Sequence, residues 1–408
     1  MLREIAAELA GGGSLEQAHR RLRGAGVDPA LLAAALTQTE LRERAATKFG
    51  DDAAEILFTR AGLEQATRAR VASLHAARFV AAGCGSVADL GCGIGAESLA
   101  LLAAGISVRP VELDPLTAEF AQHNLSVRAS NLGAPVPRVL LGDAQELGAG
   151  DTEGVFLDPA RRTAGHSDTR RVASPDDYSP SLRFAFGFAE RLPTGVKLGP
   201  GFPHELLPNS AEAQWISVDG QLVETGVWFG AVARPGVARA ALVLGSGASA
   251  EFGRQPCSGS GAGSGAGSHE LTSSSPLLAA GTPEVRPVGE WLYEPDGAVI
   301  RARLVDLLAA QLGAGLLSDG IAYLTGDSAI DTPFAQRFRV IEELPAREKD
   351  LRRALTARSI GTLEIKKRGA DVDPAALRKR LKLSGDRSAT LILTRLDGRH
   401  AALLAERA

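Results

Sequence analysis

At 408 residues the chain is longer than one hydrophobic core usually serves, so two or three domains are expected, and 45% hydrophobic with 23% charged residues fits a globular protein rather than a disordered or fibrous one. The opening Met1-Leu2-Arg3-Glu4-Ile5-Ala6-Ala7-Glu8 places acids where a secretory signal needs an apolar core, and no apolar run of about 18 residues occurs, so neither export nor membrane insertion is expected and the location is read as cytoplasmic. A net charge of −3 argues against a protein that coats nucleic acid over its whole surface.

Residues 1–75 read as an N-terminal helical section, with Ala, Leu, Arg and Glu at helical spacing in Gln17-Ala18-His19-Arg20-Arg21-Leu22 and Leu31-Leu32-Ala33-Ala34-Ala35-Leu36. Gly50 to Glu55 offers helix-start chemistry, and Leu57 to Thr67 leads into a further helix ending near Phe79. From 76 to 250, short apolar runs alternate with helical stretches: 87–90, 107–111, 138–141, 154–157, 195–198, 213–218 and 238–244 are seven candidate strands. Such alternation implies right-handed crossovers and a mostly parallel, doubly wound sheet of α/β class.

Residues 251–281 contain the tract Ser258 to Ser268, Ser-Gly-Ser-Gly-Ala-Gly-Ser-Gly-Ala-Gly-Ser, whose backbone entropy no side-chain burial offsets, so this stretch is expected to be a flexible loop or linker. Beyond it come a strand at Trp291–Pro295, a helix from about Val299 to Leu312, and an α+β tail with strands at 363–366 and 389–394 around a helix that opens on Asp373-Pro374. From Phe338 onward there are 17 Lys+Arg against 10 Asp+Glu, a balance of +7, whereas the preceding part carries −10. That asymmetry points to an anion-facing module joined to an acidic one.

Gly91, Gly93 and Gly95 form a strand-to-helix turn in which bare backbone can approach a ligand at a helix N-terminus. Asp89 separates this turn from the dinucleotide fingerprint, because a carboxylate there disfavours a pyrophosphate but accepts a hydrogen bond from an ammonium. Glu112, 17 residues past Gly95, can take both hydroxyls of a ribose, and Gly142-Asp143-Ala144 ends a third strand where Asp143 can meet an adenine amine. Three acids at three consecutive strand ends define one crevice. Cys84, Cys92 and Cys257 show no ligand pairing or disulfide framework, and His166, His204 and His400 have no partners at ligand spacing, so no metal is expected.

Asp89 to Gly95, Glu112, Asp143 and Leu157-Asp158-Pro159-Ala160-Arg161 resemble the successive motifs of class I S-adenosylmethionine-dependent methyltransferases over roughly residues 85 to 245. The resemblance implies a Rossmann-like seven-stranded sheet, S-adenosylmethionine as cofactor, and 76–250 as the methyltransferase domain. Asp158 and Pro159 are similar to the Asp-Pro-Pro or Asn-Pro-Pro element of enzymes that methylate nucleobases, with Ala160 in place of the second proline, so that Asp158, Pro159 and Arg161 would hold the acceptor. Asp-Pro-x-Arg is also similar to RNA uracil-C5 methyltransferases, which need a downstream cysteine nucleophile; the later cysteine here, Cys257, borders the Gly/Ser tract, favouring direct transfer to a nitrogen.

With Phe58-Thr59, Gly62-Leu63-Glu64-Gln65-Ala66-Thr67, Val196-Lys197-Leu198 and Pro200-Gly201 added, nearly the whole chain resembles bacterial methyltransferases that carry a THUMP-like domain. This implies a ferredoxin-like segment at 282–337, a basic THUMP-like domain at 338–408, and Phe58 and Gln65 closing the cofactor pocket. Structured RNA, tRNA or rRNA, is the implied partner, met by Lys366, Lys367, Arg368, Arg378, Lys379, Arg380 and Lys382. THUMP enzymes usually place this module first, whereas here it comes last. Protein or small-molecule methylation and a non-catalytic RNA-binding protein stay open as alternatives, and the sequence leaves the oligomeric state open.

Overall fold

The computed structural model describes residues 1–161, 177–245, 267–276 and 281–408; Cys257, His166 and most of the Gly/Ser tract lie outside these. Helices α1 (Leu2–Ala10), α2 (Leu15–Gly24) and α3 (Pro29–Phe49) open the chain. Ser14 and Gln17 close a reciprocal capping box on α2, and Asp28 with Pro29 starts α3. The short α4 (Arg60–Gln65) and α5 (Ala69–Ala81) then lead to the sheet.

The first sheet is built from β1 (Ser86–Leu90), α6 (Ala96–Ala103), β2 (Ser107–Glu112), α7 (Pro115–Leu132), β3 (Leu140–Leu141), α8 (Ala144–Leu147) and β4 (Gly154–Leu157). A short antiparallel pair, β5 (Ala160–Arg161) with β6 (Tyr178–Ser179), stands beside it, followed by α9 (Leu182–Gly187) and β7 (Thr194–Leu198). Then come β8 (Glu212–Val218), β9 (Gln221–Phe229), β10 (Arg239–Leu244) and β11 (Ser268–Ser273). The order β3-β2-β1-β4-β7-β9-β8, with β9 antiparallel to both neighbours, is a doubly wound seven-stranded core; β10 and β11 extend it to nine. The sequence places seven strands but not the same seven: 238–244 is the eighth, and β9 is hidden by its central Gly226, where a Cβ would lie 2.8 Å from the Trp228 indole. Residues 268–273, expected as linker, are an edge strand paired antiparallel with β10.

Alternate strand residues feed opposite faces, as the pleat requires. Phe156 and Trp228 join Phe49, Phe79 and Leu99 under α3, α5 and α6, while Val155, Leu157 and Val227 join Leu182 and Phe188 under α9.

The second sheet contains β12 (Trp291–Pro295), β13 (Gly315–Ser318), β14 (Ile321–Gly326), β15 (Ala335–Leu344), β16 (Ile360–Lys367), β17 (Arg387–Leu396) and β18 (Arg399–Arg407). Between them lie α10 (Gly297–Arg301), α11 (Val305–Leu312), α12 (Glu348–Ala357) and α13 (Pro374–Leu381). The single helix expected from Val299 to Leu312 is two, broken where Arg303 takes a φ of 50°. The strand order is β13-β14-β12-β15-β18-β17-β16, and β15 runs across residue 337 with Phe338 paired to Leu292 on one side and Arg407 on the other. The segments 282–337 and 338–408 therefore share one sheet. It curls until Lys366 on the last strand reaches Glu294 on β12 at 2.8 Å.

Buried polar contacts join the two sheets. Arg239 donates to the Ala302 carbonyl at 3.1 Å, Ser217 to Asp296 at 2.9 Å, and Arg301 to the Phe202 carbonyl at 2.6 Å.

Candidate active site

The carboxyl ends of β1, β2, β3 and β4 converge on a cavity of about 1100 Å³. Its floor is the glycine turn, where Gly91, Gly93 and Gly95 have φ of 88°, 57° and 91°, a region that side chains rarely enter. A Cβ on Gly93 would meet no atom within 4 Å, so this backbone faces open space. Gly91 and Cys92 both donate to the Val111 carbonyl at 2.9 Å, which pins the turn to β2. Gly95 has a different job: it is not in the cavity wall but enters α6 against Ala121 and Leu125. Cys92 is buried with its thiol pushed well up by burial and then by Asp89 and Glu112, which leaves it inert as a nucleophile.

Asp89, Glu112, Asp143 and Ala144 all line this cavity. Glu112 is braced by backbone, one oxygen accepting from Gly93 N and the other from Leu113 N and Asp114 N, each at 2.9 Å. Asp143 caps α8 by accepting from Gln145 N at 2.8 Å. Asp89 is 1% exposed and accepts from Ser98 Oγ at 2.5 Å. Burial raises its pKa to about 7; the Ser98 hydrogen bond opposes this, while Glu97 and Asp158 add to it.

The opposite wall belongs to α4 and the turn after it, including Gln65. Lys48 from α3 holds this turn by donating to the Leu63, Glu64 and Ala66 carbonyls at 2.7, 2.8 and 3.2 Å. Gly62 seats α4 directly on the glycine turn, since a Cβ there would be 2.5 Å from Ile94 Cγ2. Phe58, expected to close the pocket, does not reach it. Its ring is fully buried 5.4 Å from that of Phe49, because the apolar face of α3 offers it more contact than a polar cavity does.

Asn124 of α7, missed in the sequence because a lone amide in a helix carries no motif, holds the two walls together. Its amide nitrogen donates to the Leu57 and Ile94 carbonyls at 3.0 and 2.9 Å, and its oxygen accepts from Leu57 N at 2.8 Å. Asn124→Leu leaves those buried backbone groups unpaired, a loss of about 2–3 kcal/mol. Thermal unfolding should register it as a lowered Tm, and the loosened turn as weaker cofactor binding; an unchanged Tm would contradict this role.

Asp158, Pro159 and Ala160 line the far side of the cavity, next to Tyr178, Pro180, Phe202 and Pro203. Tyr178 and Phe202 stand 5.9 Å apart and form an apolar wall. The Asp158 side chain is 34% exposed, and Lys197 Nζ lies 2.5 Å from its Oδ2. Burial raises the Asp158 pKa, and the Lys197 ammonium restrains that rise. Beneath them His75 is 2% exposed, with Nδ1 3.1 Å from Glu97 and Nε2 3.1 Å from Glu224, the latter at ion-pair distance but off the best hydrogen-bond direction. Burial alone would lower the His75 pKa; the two carboxylates raise it to about 9. His75, Glu97 and Glu224 carry no sequence signature, because they come from α5, α6 and β9, and Lys197 of β7 lies within the Val196-Lys197-Leu198 motif with no role legible for it there. The Arg161 side chain lies outside the described residues.

Over 369 residues, 88% of this chain and 91% of the relatives, the sequence is 34% identical to two uncharacterized S-adenosylmethionine-dependent methyltransferases of Mycobacterium tuberculosis, from strains CDC 1551 and H37Rv. The chain belongs to this family of S-adenosylmethionine-dependent methyltransferases. Its fold matches the crystal structure of a candidate methyltransferase from Porphyromonas gingivalis W83, with a TM-score of 0.69 over 94% of this chain and 92% of that one at 22% identity. Residues 335–407 of the methyltransferase match a THUMP domain-like family model. The match begins with β15, three residues before the expected boundary, because that strand belongs to the module's sheet.

Of the seven cations expected to meet RNA, Lys367, Arg378, Lys379, Arg380 and Lys382 are exposed. Among these the exposed Arg380 also pairs with Glu348 at 3.0 Å and the Arg378 Nε donates to the Leu363 carbonyl at 3.0 Å, whereas Lys366 and Arg368 pair with Glu294 at 2.8 and 3.6 Å inside the curl. Curling of the sheet, which no local pattern encodes, turns Lys366 and Arg368 inward. Helices α12 and α13 cover one face of β16 through Leu351, Leu355, Leu377 and Leu381, so the exposed Lys349, Arg352 and Arg353 of α12 share that side with Lys379. Among the described residues no helix is long and apolar enough to cross a membrane.

Proposed function

We propose that this methyltransferase acts in the cytoplasm on a nucleobase nitrogen of structured RNA, tRNA or rRNA, held by the THUMP-like module. The observation that carries the reading is Asp158: a partly open carboxylate at the end of β4, facing a cavity whose adjoining wall is Tyr178, Phe202 and prolines. A flat base fits such a wall, and its amine finds an acceptor in the carboxylate.

The donor set suits the cofactor. Asp89 would meet the ammonium, Glu112 the ribose hydroxyls and Asp143 the adenine amine, with Gly91 and Gly93 giving backbone access and Gln65 covering the methionine end. When bound, S-adenosylmethionine supplies a methyl group already activated by its sulfonium, so alignment does most of the work. Asp158 and Pro159 fix the acceptor nitrogen. Its lone pair forms the new N–C bond, the C–S pair returns to sulfur, and the nitrogen's proton passes to Asp158. Exposed cations on α12 and α13 would meet phosphates.

Asp89 must be ionised to receive an ammonium, yet in the free protein it holds its proton until about pH 7. Cofactor affinity should therefore fall about tenfold per pH unit below 7, with proton release on binding near pH 6, and fall again at high pH as the ammonium itself deprotonates. Calorimetry in buffers of different ionisation enthalpy reads both; a pH-independent affinity would contradict Asp89 as the ammonium partner.

Incubating the protein with S-adenosyl-[methyl-³H]methionine and total RNA from cells lacking it tests the acceptor class. The expected result is label that ribonuclease releases. Label that resists ribonuclease would place the acceptor among proteins or small molecules.

A further inference from the structure

The ammonium of Lys197 ties together three parts of the cavity wall. From β7 it lies 2.5 Å from Asp158 Oδ2 after β4, and it donates to the Gln65 carbonyl and to Thr67 Oγ1 in the α4–α5 turn, each at 3.2 Å. Only 11% of the side chain is exposed. Burial at this depth drives an ammonium toward its neutral form unless negative charge surrounds it. Asp158, Glu224 of β9 and Glu97 of α6 supply that charge and, against burial, hold the Lys197 pKa above its ordinary value. His75 bridges the two glutamates from below, so positive and negative groups alternate through the wall.

We propose that Lys197 is the positioning residue for the methyl acceptor, holding Asp158 as an ionised carboxylate with one oxygen engaged and the other turned to the cavity. This rests on the reading of Asp158 as the acceptor's partner and adds a restriction on acceptor class. An ionised carboxylate only accepts hydrogen bonds, so the group it selects is a neutral nitrogen with N–H to give, such as an exocyclic amine. A protonated Asp158 would instead donate and favour a bare ring nitrogen or carbonyl. The groups facing Asp158 are Lys197 from β7, Glu224 from β9, Glu97 from α6 and Asp89 from β1, with the His75 cation of α5 engaged between the two glutamates, so Lys197 is the cation in contact with Asp158. Take away that charge and burial plus three acids push Asp158 to its neutral form. Lys197, kept protonated, is not the base; the nitrogen's proton goes to Asp158.

The test compares Lys197→Met and Lys197→Arg with the wild-type chain. Carboxyl-¹³C aspartate NMR, with the Asp158 signal assigned by its loss in Asp158→Asn, should show the Asp158 midpoint raised by at least about one pH unit in Lys197→Met and nearly unmoved in Lys197→Arg. Transfer of tritiated methyl to total RNA from cells lacking the protein should fall about 10–100-fold at pH 7 in Lys197→Met, with the acidic limb of kcat/KM moved to higher pH. Lys197→Arg should recover most of the activity, and calorimetry should show cofactor affinity within about threefold in Lys197→Arg, while Lys197→Met, which loses the donors to Gln65 and Thr67, is compared at saturating cofactor. An Asp158 midpoint unmoved in a folded, cofactor-binding Lys197→Met overturns the proposal, as does a uniform loss of rate with an unshifted limb. Lys197→Gln, which keeps a donor for Gln65 and Thr67, takes the place of Lys197→Met if that variant does not fold. If the wild-type chain labels no RNA, the acceptor reading fails while the carboxyl titration still decides the role of Lys197.

Discussion

Asp158→Ala should lower methyl transfer by about 10²–10⁴-fold while cofactor binding stays within a few-fold of wild type. The separation follows from position. Asp158 lies at the end of β4, on the side of the cavity lined by Tyr178 and Phe202, whereas Asp89, Glu112 and Asp143 lie at the ends of the strand series β1, β2 and β3. Its loss takes the acceptor's hydrogen bond and the proton sink together. The fold should survive, because Lys197 keeps Glu224 and Glu97 as counter-charges. Asp158→Asn separates the two functions: the amide oxygen can still accept from an amine but cannot take a proton at neutral pH. Calorimetry with the cofactor beside label transfer reads both, and a normal rate in Asp158→Ala would remove Asp158 from the chemistry.

His75→Gln should cost about 3–5 kcal/mol, because Glu97 and Glu224 would then be buried without the cation between them. The effect is on stability first and activity second. The sign with pH follows from the raised pKa. The unfolded chain releases the His75 proton near 6.5, the folded chain near 9, so the stabilisation is complete below 6.5 and is lost as pH rises through 9. Denaturant unfolding between pH 6.5 and 9 should show the wild-type chain losing stability at up to about 1.4 kcal/mol per pH unit relative to His75→Gln. The difference between the two chains matters because Lys48, lowered to about 8 by burial and by Arg68 and Lys197, acts in the opposite sense above pH 8 and cancels in the comparison. Parallel stability curves would show that His75 is not charged.

That Asp89, Gly91, Gly93, Glu112 and Asp143 line one cavity was legible because its parts are local. A glycine turn must be contiguous, its acids must sit at strand ends, and strand spacing fixes where those ends fall, so Asp89, Gly91, Gly93, Glu112 and Asp143 could be read from position alone. Phe58 was misplaced because an aromatic beside a motif can serve the core or the cavity equally well, and only packing against Phe49 distinguishes the two. Lys197, His75, Glu97 and Glu224 are far apart in sequence and ordinary one by one; their meaning is a buried cluster that the sheet assembles. The basic tail was legible as charge but not as surface, since the curl that brings Lys366 to Glu294 depends on strand pairings across more than 70 residues. Likewise β9 and β15 carry no clean alternation, one interrupted by glycine and the other half exposed on an outer face.

Methylation of a nucleobase nitrogen in RNA by this cavity is read out most directly by nucleoside mass spectrometry of tRNA and rRNA from cells with and without the protein. One N-methylated nucleoside should be missing without the protein, return with the wild-type chain and fail to return with Asp158→Ala. Identical nucleoside profiles in the two cell types, or a missing nucleoside whose methyl group sits on carbon or on the ribose, would contradict it.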